Sequence, residues 1–400
     1  MNLQQIEQAA ERLQSVVHKT PICSSRTFSE MSGAQLYLKC ENLQKTGSFK
    51  VRGAYNKIAK MVKNEQVTSV VASSAGNHAQ GVAFASSSVG ISSVIVMPRS
   101  APIAKITATE SYGAKVVLHG DCYDDAYAKA LEIQQKTGAV FVHPFDDEDV
   151  IAGQATIAPE ILGDIPSVDV VLIPAGGGGL LAGMASYIKQ VNPRVRVVGV
   201  QAQGADAIVQ SFQQKKLIST QHSATIADGI SVKTPGKMTF QLIEQYVDEV
   251  VTVSEEEIAE TILLLLERSK MVVEAAGAVS LAAAIHHKTD LSGKRVVCLL
   301  SGGNMDVSMI HKVVEKGLIT RGRQMKFRAV MRDVPGSLQQ FSRIIAESGA
   351  PIIMVQYDRM HAALQIHEVI LHVACEVSGP EHGQDVIQQL EKNGYQTTME

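Results

Sequence analysis

Short apolar runs rich in β-branched residues alternate along most of the chain with helix-length segments. The runs cover residues 69–72, 93–97, 115–118, 140–142, 168–173, 196–200 and 295–300. Continuous apolar strands separated by helices predict parallel sheet covered on both faces, an α/β fold of the doubly wound kind. Upstream, residues 1–17 carry the spacing of an amphipathic helix that ends near Thr20-Pro21. Residues 34–40 read as a strand, with Leu36 and Leu38 alternating against Tyr37 and Lys39. Ser254 stands three residues before Glu257, which predicts a capping box, and residues 258–270 continue with helical spacing.

The pattern changes near residues 319–325, where Arg321-Gly322-Arg323-Gln324 makes a polar bridge. Beyond it, strand periodicity covers 326–331, 352–357 and 366–377, and helical periodicity covers 337–348 and 385–393, with a last short strand from Tyr395. That order, βαββαβ over about 75 residues, is ferredoxin-like.

Composition narrows the function classes. A chain of 400 residues exceeds one compact core, and 45% hydrophobic with 19% charged residues is an ordinary globular mix. A net charge of -3 provides no electrostatic reason to expect nucleic acid or an anionic membrane surface. No apolar leader opens the sequence, and runs such as 262–266 are far too short to cross a bilayer. The five cysteines are scattered without a Cys-x-x-Cys pair, so neither a disulfide framework nor a zinc site is expected, and a reducing cytoplasm is the natural setting.

In open α/β sheets, ligands bind outside the carboxyl ends of the strands, so the turns after strands are the places to search. One is Gly176-Gly177-Gly178-Gly179-Leu180, between the strand 168–173 and a helix-length segment. Four glycines leave backbone N–H groups unobstructed at a helix start, a cradle for an anion, most naturally phosphate. It is not a Walker A loop, since no Gly-Lys-Ser/Thr follows. A second turn, Ser73-Ser74-Ala75-Gly76-Asn77-His78, offers hydroxyls, an amide, an imidazole and N–H groups suited to a carboxylate. A third, Ser301-Gly302-Gly303-Asn304, puts a hydroxyl at a strand end. Glu274 is an isolated acid in an apolar stretch, where acids are rare unless paired or functional. For each turn the plain alternative is a tight connection with no ligand.

Lys50 sits in Ser48-Phe49-Lys50-Val51-Arg52-Gly53. A lysine lowers its pKa readily when desolvated and then attacks carbonyls, including the aldehyde of pyridoxal phosphate. A solvated lysine beside a turn is the plain alternative, and Lys50 gains meaning only if the other turns complete a cofactor site.

Together, Ser-Phe-Lys-x-Arg-Gly, Ser-Ala-Gly-Asn-His-Ala-Gln-Gly, the tetraglycine loop and Ser-Gly-Gly-Asn, in this order, resemble the fold-type II pyridoxal-phosphate enzymes. The resemblance is to the threonine ammonia-lyases, with serine racemases and serine dehydratases as near relatives, and it spans about residues 3–320 and the tail. It implies two doubly wound parallel-sheet domains like those of the tryptophan synthase β chain. A small domain of about 50–150 would be inserted in a large one of 1–49 and 151–322. It implies that Lys50 carries pyridoxal 5'-phosphate and acts as catalytic base, that Phe49 packs on its ring, and that Asn77 reaches the ring hydroxyl. Gly176, Gly177, Gly178, Gly179 and Leu180 would hold the phosphate, and Ser301 would meet the ring nitrogen. Ser74, Gly76, His78 and Glu274 fall where the family receives its amino-acid substrate. The implied reaction is β-elimination of L-threonine to 2-oxobutanoate and ammonia, with L-serine giving pyruvate.

The resemblance carries further expectations. Serine racemases have a Ser just before the Gly-Asn-His; Ala75 stands here and moves no proton, so racemisation is the weaker alternative. A non-catalytic amino-acid sensor on the same pockets is another. Some relatives bind a divalent metal through acids where Gln201 and Ala207 stand, so no metal is expected. Residues 325–400 resemble an ACT regulatory domain through Asp333-Val334-Pro335-Gly336-Ser337-Leu338. That implies a branched-chain amino-acid effector, a place in isoleucine metabolism and a homo-oligomer.

Overall fold

The computed structural model describes residues 1–65, 67–360 and 364–400. The chain divides into two units, Met1–Val307 and Ser308–Glu400.

The first unit opens with a helix, Leu3–Leu13, shorter than the expected 1–17. Asn2 and Gln5 close a capping box at its start, and Ile6, Ala9 and Leu13 form its buried stripe. The chain then lays down β1 (Ile22–Ser24) and β2 (Gln35–Cys40). Four strands follow: β3 (Ser69–Ser73), β4 (Ser92–Met97), β5 (Lys115–Leu118) and β6 (Val140–Phe141). Next come β7 (Val170–Pro174), β8 (Arg196–Ala202), β9 (Glu249–Val253) and β10 (Arg295–Leu300).

These ten strands make two sheets. The smaller has order β5-β4-β3-β6 and is parallel throughout. Val70 and Ala72 enter one buried cluster and Val71 another, so both faces of β3 are covered, as its unbroken apolar run requires. The larger has order β1-β2-β10-β7-β8-β9. It is parallel except for β1, which pairs antiparallel with β2 at the edge. The smaller sheet is therefore built from chain between β2 and β7 of the larger. Neither β1 nor β9 was expected: β1 is three residues long, and β9 is an edge strand whose side chains are mostly half-buried, so neither carries a continuous apolar run.

The Ser254–Glu257 capping box forms as predicted. Its helix, Glu255–Leu264, gives way to a π-turn over Leu265–Ser269 instead of continuing to residue 270.

The second unit contains the helix Val307–Thr320 from Ser308 onward. It then forms β11 (Gln324–Arg332), β12 (Ile352–Asp358), β13 (Glu368–Glu376) and β14 (Gln396–Met399). They make one antiparallel sheet of order β12-β13-β11-β14. The helices Ser337–Glu347 and Pro380–Lys392 alternate with them in sequence and supply Phe341, Ile345, Val386 and Leu390 to the unit's core.

Candidate active site

The turns after β3, β7 and β10 open on one cavity of about 760 Å³, a size suited to a small-molecule ligand. All thirteen site residues expected from the sequence line it: Phe49, Lys50, Ser74, Gly76, Asn77, His78, Gly176, Gly177, Gly178, Gly179, Leu180, Glu274 and Ser301.

Lys50 begins the helix Lys50–Glu65. The chain leading to it docks on the turn after β10: Gly303 N donates to Gly47 O at 2.9 Å, Ser48 bridges Gly302, and Phe49 N donates to Ser301 O at 3.1 Å. Two residues on, Arg52 is fully buried and ties the helix to Glu41 and Glu160. Small residues bring the neighbouring helices close. A Cβ on Gly81 would lie 3.2 Å from the Lys50 carbonyl, and one on Gly153 would lie 2.6 Å from Arg52 O. The Lys50 amine donates to Pro144 O at 2.9 Å and lies 5.3 Å from the centre of the Phe49 ring. Among the described residues it has no carboxylate at ion-pair distance. Burial therefore pulls its pKa down to about 8, with Glu274 opposing weakly. Near neutral pH a part of Lys50 is a free amine.

The turn after β3 leads into the helix Asn77–Ser88, whose N-cap is Gly76 and whose first turn no side chain caps. Ser74 Oγ accepts the Gly76 N–H at 3.2 Å. His78 Nε2 lies 2.9 Å from Val142 O, and a carbonyl only accepts, so that nitrogen carries the proton. Its Nδ1 is buried with no partner among the described residues. Burial, reinforced by Lys50, pushes the imidazole pKa down to about 3. His78 is neutral, so what this turn offers a negative group is the helix N-terminus and not an imidazolium charge. Asn77 Nδ2 donates to Glu274 Oε1 at 2.7 Å. Burial, with Asp228 adding to it, raises the Glu274 carboxyl to about 7 against the lowering effect of that bond.

The tetraglycine turn has a separate steric reason at each position. A Cβ on Gly176 would meet Ile230 at 3.0 Å, on Gly177 the Phe145 ring at 2.3 Å, on Gly178 Thr239 Oγ1 at 2.8 Å, and on Gly179 Phe145 O at 2.8 Å. Gly178 also has φ of 98°, which disfavours every other residue. Thr239 Oγ1 donates to Gly177 O at 2.7 Å and holds the turn. Gly178 is the N-cap of the helix Gly179–Val191, again with no side-chain cap. The cavity thus receives two uncapped helix N-termini, each a seat for negative charge.

Several lining residues escaped the sequence reading. Pro144 and Phe145 follow a short strand and carried a usable signal, a Pro-Phe turn at a strand end. Gln154 is buried and its Nε2 has no partner among the described residues, as is true of the Oγ of Ser73, which belongs to the turn already named. Lys105 and Asp228 meet at 2.7 Å at the cavity. Nothing local marks Gln154 or that ion pair. At the positions expected to lack metal ligands, Gln201 Oε1 accepts the Val209 N–H at 2.9 Å and Ala207 is buried.

A model of the pyridoxal-phosphate dependent enzyme family matches residues 13–302. An L-threonine ammonia-lyase of Thermotoga maritima is 47% identical over 399 residues, covering 100% of this chain and 99% of that protein. A catabolic L-threonine dehydratase of Escherichia coli (strain K12) is 43% identical over 310 residues, 77% of this chain and 94% of that one. Among solved structures, the processed form of threonine deaminase isoform 2 from Solanum lycopersicum superposes with a TM-score of 0.73 at 34% identity, covering 79% of this chain and 94% of that one. Maize serine racemase superposes with a TM-score of 0.75 at 34% identity, covering 80% and 98%.

Proposed function

The chain belongs to the family of pyridoxal-phosphate-dependent enzymes, and from that premise we propose that it deaminates L-threonine to 2-oxobutanoate and ammonia. L-serine, deaminated to pyruvate, is the side substrate. The observation that carries this reading is a buried lysine with no carboxylate partner among the described residues, sharing one cavity with an uncapped tetraglycine helix start.

The residues present fit the cofactor. Gly176, Gly177, Gly178, Gly179 and Leu180 line the cavity at the uncapped start of the helix Gly179–Val191, where their N–H groups would receive the phosphate, and close packing of Phe145, Thr239 and Ile230 leaves the four glycines no room for a side chain. Lys50 would be the covalent anchor, Phe49 would pack against the ring, Asn77 would donate to the ring oxygen and the Ser301 hydroxyl would meet the ring nitrogen. Bound pyridoxal phosphate supplies a carbonyl for the substrate amine and an electron sink for charge at the substrate Cα. Lys50, neutral near its lowered pKa, accepts the Cα proton at Nζ. Ser74, Gly76 and the N–H groups at His78 orient the substrate carboxylate, and Glu274 lies beside the reacting atoms. Ser301 is a neutral hydroxyl and does not hold a ring nitrogen protonated as a carboxylate would. With the cofactor bound, charge at Cα would be relieved by loss of the β-hydroxyl, which would leave as water with the proton held at Lys50 Nζ. Ala75 supplies no second proton-transfer group, which favours elimination over the racemase alternative.

The tests are direct. Purified protein should be yellow and should release 2-oxobutanoate from L-threonine; a colourless, inert protein contradicts the assignment and favours a sensor. Borohydride reduction should label Lys50, and a label on another lysine removes its role. D-serine formation rivalling elimination would favour racemisation. Activity that collapses with a chelator and returns with magnesium would overturn a metal-free enzyme.

The domain reading is that 1–322 form the catalytic region, with about 50–150 as a small domain inserted between 1–49 and 151–322. The placement of β3–β6 between β2 and β7 supports the insertion. Residues 325–400 are read as an ACT-like regulatory domain of a cytoplasmic homo-oligomer in isoleucine metabolism. The βαββαβ order and the turn at Gly336, at φ of 92° and capping the helix Ser337–Glu347, support it. Val334 and Leu338 are exposed beside that turn and suit a branched side chain. Threonine saturation curves that are identical with and without millimolar isoleucine or valine would leave the tail an assembly module.

A further inference from the structure

Asn304 does not line the cavity, yet it ties together two segments that lead to it. Its Nδ2 lies 2.6 Å from Thr46 O and 2.9 Å from Asn77 Oδ1. A backbone carbonyl only accepts, so the atom facing Thr46 must be the amide nitrogen. The second N–H of that nitrogen then requires an acceptor from Asn77, which must present its oxygen. The Asn77 amide nitrogen is left for the cavity side, where it donates to Glu274 Oε1 at 2.7 Å. A free asparagine amide has two nearly equivalent orientations; here a group that cannot reverse selects one.

The seat for Asn304 is purpose-shaped. Thr46 is a β-branched residue held at φ of 61°, a conformation such residues rarely adopt. Its own hydroxyl is buried without a partner among the described residues, so no hydrogen bond from the side chain stabilises that conformation. A Cβ on Gly47 would lie 2.2 Å from Asn304 Oδ1, so only glycine admits the amide. Gly303 N–H on Gly47 O closes the contact.

We propose that Asn304 is a positioning residue: it carries the fixed polarity of the Thr46 carbonyl to Asn77, so that Asn77 meets the cofactor ring as a hydrogen-bond donor. This rests on the reading of the cavity as a pyridoxal-phosphate site. A donor stabilises an anionic ring oxygen, whereas the amide oxygen would repel it.

A double-mutant cycle on the Kd for pyridoxal phosphate tests it. Cofactor-free protein is titrated and the visible band is followed. Asn304→Asp keeps the volume but only accepts. It should raise Kd about tenfold, the scale of one hydrogen bond lost at a buried site, and Asn77→Ala should do the same. Because Asn304 acts through Asn77, the double variant should be no worse than the weaker-binding single. Asn304→Ala, which adds no charge, should move the pH midpoint of the band upward, as Asn77→Ala does, because a donor to the anionic oxygen is gone. It also replaces Asn304→Asp in the cycle if circular dichroism shows that the aspartate variant misfolds. Effects that multiply in the double variant, or an Asn304→Ala midpoint equal to that of wild type, overturn the proposal alone. A wild-type chain that develops no visible band overturns the reading of the site, and the proposal with it.

Discussion

Two buried groups of ionisable side chains lie close together in the first unit, and they are treated in opposite ways. Around Arg52, every charge is matched. Its guanidinium donates to Glu41 at 2.8 and 2.9 Å and to Glu160 at 2.6 and 3.2 Å, while Lys39 takes Glu160 at 2.5 Å. Burial opposes ionisation of Glu41, but Arg52 and the Thr20 hydroxyl more than offset it, and the carboxyl is held below its ordinary range. Burial likewise opposes the charge on Arg52, and Glu41 and Glu160 overcome it. Around Lys50, among the described residues, the partners are neutral: Lys50 has Pro144 O, Glu274 has the Asn77 amide and His78 has Val142 O. Burial pulls Lys50 down to about 8, lifts Glu274 to about 7 and keeps His78 neutral. The first group uses its ionisable residues to hold the start of a helix. The second brings Lys50 and Glu274 near the point of titration, where proton transfer is easiest, and leaves His78 neutral.

The contrast breaks most visibly at Lys50. Lys50→Ala should lower threonine turnover by about a thousandfold or more, since anchor and base are both lost. Its urea midpoint should stay level or rise, because a desolvated amine has gone. A retained turnover would end the contrast.

Arg52→Met should do the reverse. It leaves Glu41 buried beside Glu160 without its main partner, at a cost of about 3–5 kcal/mol in urea unfolding. A loss below about 1 kcal/mol would mean the cluster is dispensable.

The pH dependence of cofactor-free protein sharpens the comparison. Glu274 rises from 4.5 to about 7 on folding, so its contribution is present below the lower value and lost as pH climbs through the higher. Lys50 falls from 10.5 to about 8, so the unfolded chain holds the extra proton between those values and stability rises with pH there. Each limb is on the order of 3 kcal/mol, and the minimum lies between about pH 7 and 8. Urea midpoints across this range should show it. Glu274→Gln should flatten the acid limb and Lys50→Met the alkaline one; unchanged limbs would refute the assignment.

The smallest effect belongs to an exposed pair. Arg26→Ala breaks the bond to Glu30 at 2.8 Å, yet both side chains are largely in water. No measurable change in urea midpoint is expected.

Much of the site was legible because it is built from local necessities. A turn that needs left-handed backbone, or that packs against an aromatic ring, must be glycine, and glycine shows in a sequence. Strands covered on both faces show as unbroken apolar runs, which is how β3, β7 and β10 were visible and the edge strand β9 was not. His78 is the instructive residue. Its place in the turn was plain, but its neutrality comes from burial and from the nearby Lys50 amine, which outweigh the opposing bond to Val142 O, and these are set by the fold. Asn304 closed a recognised motif, and nothing beside it revealed that it would meet Thr46.

By itself, then, the chain determined most of the segments that become strands and helices, where its backbone must turn tightly, and which hydroxyls stand at strand ends. These follow from steric and hydrophobic preferences that act over a few residues. Tertiary structure alone decided the partners and the charges. Lys50 meets Pro144 at a separation of 94 residues, Asn77 meets Glu274 at 197, and Asn304 meets Thr46 at 258. Desolvation and Coulomb interactions depend on what surrounds a group in space, and the distance along the chain carries no record of that.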